Sequence, residues 1–215
     1  MQHFRIFKDL HQFSTYVPPI NLTFHQYLLL TDQPLLVHTG SLQQAEKLVS
    51  LLKEVLGDRV LTHIFISHFE SDECGGLSLM LQHFPGARPV CSEITARQLT
   101  GFGITDDIIV KKPGETLAAD GYELEFIGYP SEMHLWEGLL CMETRRGILF
   151  GSDLVIRFGE SGGKVIEGNW ENEVDCVDQV LIPDPARRER LQNDLLRLRP
   201  RFVAPGHGPC LKIAG

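Results

Sequence analysis

Apolar and polar positions alternate near the start of the chain in a pattern that predicts a β-hairpin. The apolar, β-favouring runs at residues 22–30 and 34–38 meet at Thr31-Asp32-Gln33-Pro34, a composition typical of a short turn. After Ser41, apolar residues recur every three or four positions until Gly57, which predicts an amphipathic helix. The first part of the core is therefore expected to combine sheet and helix.

The order strand, loop, helix then repeats along the chain. Residues 60–67 predict a buried strand, and residues 77–84 a helix that ends at Pro85 and Gly86. Further strands are predicted at residues 90–91, 108–111, 122–127, 139–142, 148–150 and 202–203, and further helices at 94–99, from about 170 to 181, and after Pro185 up to 198. Helices that cover both faces of paired sheets predict an α/β fold of the αββα sandwich type. We expect one domain over residues 1–215.

Composition and charge exclude several classes of protein. The chain is 43% hydrophobic with a net charge of −8, so it is expected to be globular, and a phosphate backbone would be repelled. The five cysteines are odd in number and form no CxxC pair, which is typical of reduced thiols inside a cell. No signal segment and no long apolar run is visible. We therefore expect a cytoplasmic protein that binds neither nucleic acid nor membrane.

The most informative segment is His68-Phe69-Glu70-Ser71-Asp72-Glu73, which directly follows a predicted buried strand. If this segment were extended, His68, Glu70 and Asp72 would share one face, because alternate residues of a strand point the same way. An imidazole and two carboxylates at the exit of a strand predict a metal site. The alternative is a solvated acidic loop that contains a histidine.

Three more polar residues with metal-binding side chains follow predicted strands elsewhere in the chain. His134 lies after the strand at 122–127, Asp153 after the strand at 148–150, and His207 in a Gly206-His207-Gly208 loop after the last strand. The pattern HxExD, then H, then D, then a glycine-flanked H resembles that of the metallo-β-lactamase superfamily. Within it, the pattern resembles the diiron domain of flavodiiron proteins and stand-alone oxygen-binding diiron proteins.

This resemblance implies a ligand set for two metal ions. His68, Glu70 and His134 would bind one ion, Asp72 and His207 the other, and Asp153 would bridge the two. The hydrolases of the superfamily carry HxHxDH at the first motif, a histidine-rich set suited to zinc. Glu70 puts a carboxylate in its place, and mixed carboxylate and histidine sites favour iron or manganese. We therefore expect two iron ions per chain, with zinc or manganese by mismetallation in heterologous material.

The chain departs from the family pattern at two positions. Glu73 stands where a histidine is usual, so it either ligates the second metal as a carboxylate or turns away and leaves an open position. His38 replaces an aspartate that is common at the end of the hairpin, so the hydrogen bonds below the metals are expected to differ.

A third departure concerns the flavin. Only eight residues follow His207, which leaves no room for a flavodoxin-like domain in this sequence, and no nucleotide-binding fingerprint is visible. We expect no tightly bound FMN, and an external electron donor such as a flavoprotein or a rubredoxin-like protein. Whether the chain forms a homodimer is left open by the sequence.

Three functions compete at this stage. The first is a non-haem diiron protein that binds dioxygen, or nitric oxide, either as a reductase with an external donor or as an oxygen sensor or carrier. The second is a dinuclear hydrolase of the wider superfamily, in which metal-bound water is the nucleophile. The third is a metal-free scaffold. Glu70 and Glu73 favour the diiron protein, an oxidoreductase, over the hydrolase.

Overall fold

The fold is an α/β sandwich in which two β-sheets pack face to face between two layers of helices. It is seen in a computed structural model that describes residues 1–105, 107–131, 136–177 and 179–214. Two sheets of seven strands each run through the described residues. The αββα architecture predicted from the order of elements is confirmed.

The elements, in chain order, divide into two halves. The first half contains β1 (Gln2–Arg5), β2 (Leu10–Val17), β3 (Leu22–Leu29), β4 (Leu35–Val37), α1 (Leu42–Leu56), β5 (His63–Phe65), α2 (Ser71–Cys74), α3 (Leu77–His83), β6 (Arg88–Ser92), α4 (Glu93–Gly101) and β7 (Ile109–Lys111). The second half contains β8 (Thr116–Ala119), β9 (Tyr122–Ser131), β10 (Trp136–Glu143), β11 (Ile148–Ser152), β12 (Val165–Gly168), α5 (Trp170–Asp175), α6 (Pro185–Arg197), β13 (Phe202–Pro205) and β14 (Cys210–Ile213).

Strand direction changes within each sheet. In the first sheet the strands follow the order β1 to β7; β1 to β4 are antiparallel, and β4 to β7 are parallel. In the second sheet the order is β12-β14-β13-β11-β10-β9-β8, and β11 runs parallel to β13. Parallel neighbours bring the carboxyl ends of their strands to the same edge of a sheet. The loops after β4 and β5, and those after β11 and β13, carry the candidate site.

Three apolar clusters hold the layers together. One lies between the sheets and contains buried aromatic residues such as Tyr27 and Phe126. The second packs the outer face of the first sheet against α1, α3 and α4, and the third packs the second sheet against α5 and α6. Ser41 caps the N-terminus of helix α1: its hydroxyl accepts from the backbone N–H of Gln44, while the Gln44 side chain accepts from Ser41 N–H. Gly57 ends it, as predicted.

Several elements differ from the sequence prediction. Strands β1, β2, β8, β12 and β14 were not anticipated. Strands β1, β8 and β12 are short edge strands and β2 and β14 lie next to an edge strand, and the apolar residues of all five are too few or too irregular to show a clear period. The helix expected from about 170 to 181 ends at Asp175, and the strand expected over 60–67 is confined to His63–Phe65. The acidic segment after β5 is not extended throughout, because residues 71–74 form the short helix α2. None of the helices formed by the described residues is long and apolar enough to span a bilayer.

Candidate metal centre

Most of the polar residues singled out in the sequence meet at one edge of the sandwich. His68 and the acidic segment follow β5, Asp153 directly follows β11, and His207 follows β13. A backbone hydrogen bond links the two sheets here: Leu139 N–H of β10 donates to the carbonyl of Ser67, just after β5, over 2.8 Å. Strand ends from both sheets therefore face each other across a small polar space.

The first group of ligand atoms surrounds His68, which is fully buried. Its Nε2 atom lies 3.1 Å from Glu70 Oε2, 3.4 Å from Asp153 Oδ2 and 3.9 Å from Glu73 Oε2. The atoms offered by His68, Glu70 and Glu73 all fall within 4.8 Å of one another. Nitrogen and oxygen ligands of a single cation can be this close to each other because metal–ligand bonds are about 2.0–2.2 Å long.

The second group surrounds His207. Its Nε2 atom lies 3.3 Å from Asp72 Oδ2 and 3.4 Å from Asp153 Oδ1. Asp153 thus offers one carboxylate oxygen to each histidine, which is the arrangement of a bridging ligand. Asp72, Glu73 and His207 form a second set of atoms that lie within 4.8 Å of one another.

Glu73 belongs to both groups. Glu73 is 1% exposed, and its Oε2 atom has no hydrogen-bond partner among the described residues. A buried carboxylate oxygen without a donor costs free energy unless a cation or another group satisfies it. Of the two conformations that the sequence left open, the side chain adopts the inward one. Whether it ligates a metal stays a prediction.

The geometry corrects one step of the sequence interpretation. His68 and Glu70 do lie together, but Asp72 faces His207 instead of sharing their face. The reason is α2, which starts after Glu70 and rotates Asp72 and Glu73 by about 100° per residue around a helix axis. His134 lies outside the described residues, so its part in the site stays a prediction. Glu70 is the most open member, with 35% of its side chain exposed.

Hydrogen bonds and charge interactions with its neighbours shift the pKa of each ionisable residue in the second group away from the value that burial alone would give. Burial alone would lower the pKa of His207, but hydrogen bonds and charge interactions with Asp153 and Asp72 outweigh it and raise the pKa to about 10. Burial raises the pKa of Asp72 and of Asp153, yet their contacts with His207 bring the pKa of Asp72 down to about 2 and that of Asp153 below its usual value. A protonated His207 thus holds two carboxylates in the metal-free protein.

The pKa of Glu73 shifts in the opposite direction from those of Asp72 and Asp153. Burial, followed by the negative charges of Asp153 and Asp72, raises its pKa well above the ordinary value. In all, four carboxylates surround the two imidazoles of His68 and His207. They belong to Glu70, Asp72, Glu73 and Asp153. Their formal charge of −4 would be balanced by two divalent cations. The donor set fits a dinuclear centre of hard cations with mixed oxygen and nitrogen ligands.

Each buried histidine is oriented by a hydrogen bond from its other ring nitrogen. His207 Nδ1 lies 3.1 Å from the carbonyl of Thr23, which can only accept, so Nδ1 carries a proton and Nε2 faces the carboxylates. His68 Nδ1 lies 3.0 Å from Ser67 Oγ. Ser67 Oγ in turn lies 2.9 Å from His38 Nε2 and 2.8 Å from Ser152 Oγ. Both Nε2 atoms are thereby presented to the site.

Sequence reasoning noticed His38 but missed Ser67 and Ser152. Serines directly before a predicted ligand carry no distinguishing pattern, and their partners are remote in the chain. His38 is 3% exposed; burial and the nearby His68 lower its pKa to about 3, so it is uncharged. The hydrogen bonds below the metals thus run through a neutral imidazole and hydroxyls.

The segment at 158–164, which the sequence left open as a mobile lid or a plain connection, is tied to β3. Thr23 Oγ1 donates to the carbonyl of Gly159 over 2.6 Å and accepts from Ser161 N–H over 3.0 Å. His25 lies 3.1 Å from Ser161 Oγ and 2.9 Å from the carbonyl of Gly208, next to His207. The loop therefore supports the back of the second group as a fixed connection.

Comparisons with proteins of known structure agree with this architecture. The chain superimposes on a metal-soaked flavodiiron core from Synechocystis sp. PCC6803 with a TM-score of 0.81 at 23% identity, covering 98% of this chain and 57% of that one. Rubredoxin oxygen:oxidoreductase from Desulfovibrio gigas gives a TM-score of 0.80 at 16% identity, with the same shares covered. These similarities show a common fold.

Sequence comparisons point in the same direction. The chain is 24% identical over 198 residues to diflavin flavoprotein A 2 of Nostoc sp. PCC 7120, over 88% of this chain and 34% of that protein. It is 24% identical over 168 residues to a nitric oxide reductase of Moorella thermoacetica, over 77% of this chain and 40% of that protein. The chain thus spans about a third of the length of these relatives. The family model described as "ODP family beta lactamase" matches residues 22–208, and the chain therefore belongs to the ODP beta-lactamase family.

Proposed function

We propose that this chain is a non-haem diiron protein that binds dioxygen or nitric oxide and reduces it with electrons from an external donor. The single observation that carries the proposal is the position of Asp153, whose two oxygens lie 3.4 Å from His68 Nε2 and 3.4 Å from His207 Nε2. A carboxylate that faces two separate ligand groups is suited to hold two cations side by side. Reductase-like relatives at low identity support the direction of the proposal.

The residues present would divide between two iron ions. His68 and Glu70, with His134 as a further expected ligand, would hold one ion; Asp72 and His207 would hold the other. Asp153 would bridge them, and Glu73 is within reach of both. When bound, two ferrous ions would supply two electrons for the reduction of a diatomic ligand.

The protein side chains set the conditions for that chemistry. Carboxylate oxygens stabilise higher oxidation states of iron and weaken its Lewis acidity, so a site with four acids favours electron transfer over activation of water for hydrolysis. Aromatic rings flank both histidines: Phe24 packs edge-on against His207 at 4.9 Å, and Tyr129 against His68 at 6.1 Å between ring centroids. These rings keep bulk water from the buried side of the centre. Glu70, the exposed member, marks the side open to a small ligand.

The remaining expectations extend this proposal. An external flavoprotein or rubredoxin-like protein would supply electrons, and no tightly bound FMN is expected on residues 1–215. A sensor or carrier role would use the same ligand site without sustained turnover. A homodimer is compatible with each of these roles.

The experiment that tests the proposal starts from protein purified without oxygen and loaded with ferrous iron. We expect about two iron ions per chain, uptake of dioxygen measured with an oxygen electrode, and an oxygen-dependent change in the near-ultraviolet or visible spectrum. A reduced flavoprotein or rubredoxin added as donor distinguishes the roles, because only a reductase continues to consume dioxygen. Protein loaded with zinc is the control, since zinc has no redox chemistry.

The hydrolase alternative is tested with the same preparations. Nitrocefin and a thioester are offered to the iron-loaded and zinc-loaded chain, with Asp72→Ala as the control for a metal-dependent reaction. Sustained hydrolysis that Asp72→Ala abolishes, together with no response of the iron-loaded protein to dioxygen, would overturn the proposal. Binding of no metal at all would leave the metal-free scaffold.

A further inference from the structure

The hydroxyl of Ser67 is the centre of a hydrogen-bonded cluster beneath the first metal position. It lies within hydrogen-bond distance of three groups: His68 Nδ1 at 3.0 Å, His38 Nε2 at 2.9 Å and Ser152 Oγ at 2.8 Å. All four residues are at most 3% exposed. Because water is excluded, each of these polar atoms depends on the others for its hydrogen bonds.

Two residues that contact the Ser67 side chain, His38 and Ser152, have strained backbone conformations. Among the described residues, only Asn21, His38 and Ser152 adopt a positive φ without being glycine; the values for His38 and Ser152 are 63° and 46°. Such conformations cost free energy and persist where the surrounding structure enforces them, often at functional sites. The two buried residues among these three, His38 and Ser152, both place a side chain against the hydroxyl of Ser67.

The two predicted ligand histidines are therefore held differently. The Nδ1 proton of His207 points to a backbone carbonyl, a fixed acceptor that belongs to β3. The corresponding nitrogen of His68 lies 3.0 Å from the hydroxyl of Ser67, whose orientation is set by His38 and Ser152; Ser152 Oγ itself lies farther from this nitrogen, at 3.5 Å. Substitution of Ser67 can thus alter one ligand group and leave the other unchanged.

We propose that Ser67 is a positioning residue, held by His38 and Ser152, which orients the ring of His68 so that Nε2 faces Glu70 and Asp153 and which gives its Nδ1–H an uncharged acceptor. This inference rests on the proposed function, since it concerns a metal held by His68. An uncharged acceptor donates less electron density to the ligand than a carboxylate does. The reduction potential of the iron at His68 is therefore higher than it would be with an acid beneath the ring.

The direct test is Ser67→Ala, with metal affinity as the readout. Apo-protein is titrated with Co²⁺ and with Zn²⁺ in competition with a chromophoric chelator, and the ligand-field spectrum of Co²⁺ reports the coordination of each ion. Loss of the partner of a ligand histidine lowers metal affinity about 10- to 100-fold. We expect this loss for one of the two ions and little change for the other.

Ser14→Ala is the matched control. Ser14 Oγ lies 2.8 Å from His25 Nδ1, and both residues are buried, so this variant removes a serine–histidine hydrogen bond of the same kind. His25 is not a predicted ligand. His25 contacts the loop behind His207 and not the group around His68, so Ser14→Ala should lower the thermal midpoint of the apo-protein without weakening the ion that Ser67→Ala weakens.

Two further variants keep the inference testable if Ser67→Ala fails to fold. His38→Asn removes the ring beneath Ser67, and asparagine tolerates positive φ, so it should lower the affinity at the same ion. His38→Asp adds an acid to the cluster and should lower the reduction potential of the iron-loaded centre relative to the unsubstituted chain, measured by redox titration.

The outcomes separate this inference from the function it rests on. If the unsubstituted chain does not bind two metal ions, the proposed function fails. If it binds two and Ser67→Ala binds both with unchanged affinity and an unchanged Co²⁺ spectrum, the positioning role of Ser67 is wrong. An equal loss at both ions would also contradict it, because a general loosening of the fold would then explain the effect.

Discussion

Glu73 provides a direct test of the site, because a metal ligand releases its proton when the metal binds, whereas an ordinary buried acid does not. Its pKa lies well above the ordinary value of 4.5, and that of His207 is about 10. The metal-free protein therefore keeps a proton on His207 at neutral pH, and a proton on Glu73 to a higher pH than an ordinary glutamate would, whereas Asp72, with a pKa of about 2, holds none. Ligands must lose their protons before they bind a metal. Metal binding should displace both protons.

Glu73→Gln keeps the shape of the side chain and removes one of these protons. Over a series of pH values from 5 to 7 we expect the variant to release fewer protons than the unsubstituted chain on binding two Zn²⁺ ions, with weaker affinity. Calorimetry in buffers of different ionisation enthalpy measures this number directly. Equal proton release and equal affinity in the two proteins would refute the assignment of Glu73 as a ligand.

Although Glu73→Gln should weaken metal binding, it should stabilise the metal-free protein near neutral pH relative to the unsubstituted chain. A group whose pKa is raised in the folded state stabilises the fold fully below its unfolded pKa, and this contribution is lost as the pH rises. The unsubstituted chain therefore loses stability as the pH rises above 4.5, whereas the variant has no titrating group at this position, so the stability of the variant relative to the unsubstituted chain should increase from low pH towards neutral pH. Glu143→Gln is the control: Glu143 is fully buried, but it accepts from three backbone N–H groups and lies outside the ligand groups. It should lose stability without changing proton release.

Three further predictions concern the same edge of the sandwich. Asp153→Asn should weaken the binding of both metals and lower the pKa of His207 in the metal-free protein by about 1 to 3, as measured by NMR titration; a loss confined to one metal would contradict its bridging position. The ion pairing of His207 should be lost as the pH rises from 6.5 towards 10, and that of Asp72 as it falls from 3.8 towards 2, so urea unfolding of the metal-free protein should show both losses. In Gly138→Ala a Cβ atom would lie 3.0 Å from His68 Cβ and 2.6 Å from the carbonyl oxygen of Ser67, so we expect a loss of about 1–3 kcal/mol in unfolding free energy together with weaker metal binding.

Much of the fold could be predicted because its central elements have clear local sequence patterns. The β3–β4 hairpin and helix α1 carry long apolar patterns with turn or capping residues at their ends, and these were placed correctly. The edge strand β1 was not, because most of its residues are exposed, and neither were β12 and its neighbour β14, which pair with each other over a long separation in the chain. Local pattern is informative where burial is continuous along an element, and weak elsewhere.

The candidate site was predictable to the extent that ligands follow strand ends. His68, Asp153 and His207 were recognised by their chemistry and their positions after strands, and these three side chains lie together as expected. The turn of helix at α2 could not be read from an acidic segment with no apolar period. It decides that Asp72 and Glu73 reach the second group.

The metal-free site is costly for the fold to maintain, and this cost is itself an argument for cations. Four acids converge where water is scarce, the pKa of Glu73 is displaced far upward, and two non-glycine residues, His38 and Ser152, are held at positive φ. Three apolar clusters elsewhere in the sandwich stabilise the structure against these penalties. Cations that bind only the folded state would offset the repulsion and stabilise the protein in proportion to their affinity. An arrangement with no ligand to bind would have no such compensation, which makes a metal-free scaffold the least economical explanation of this edge.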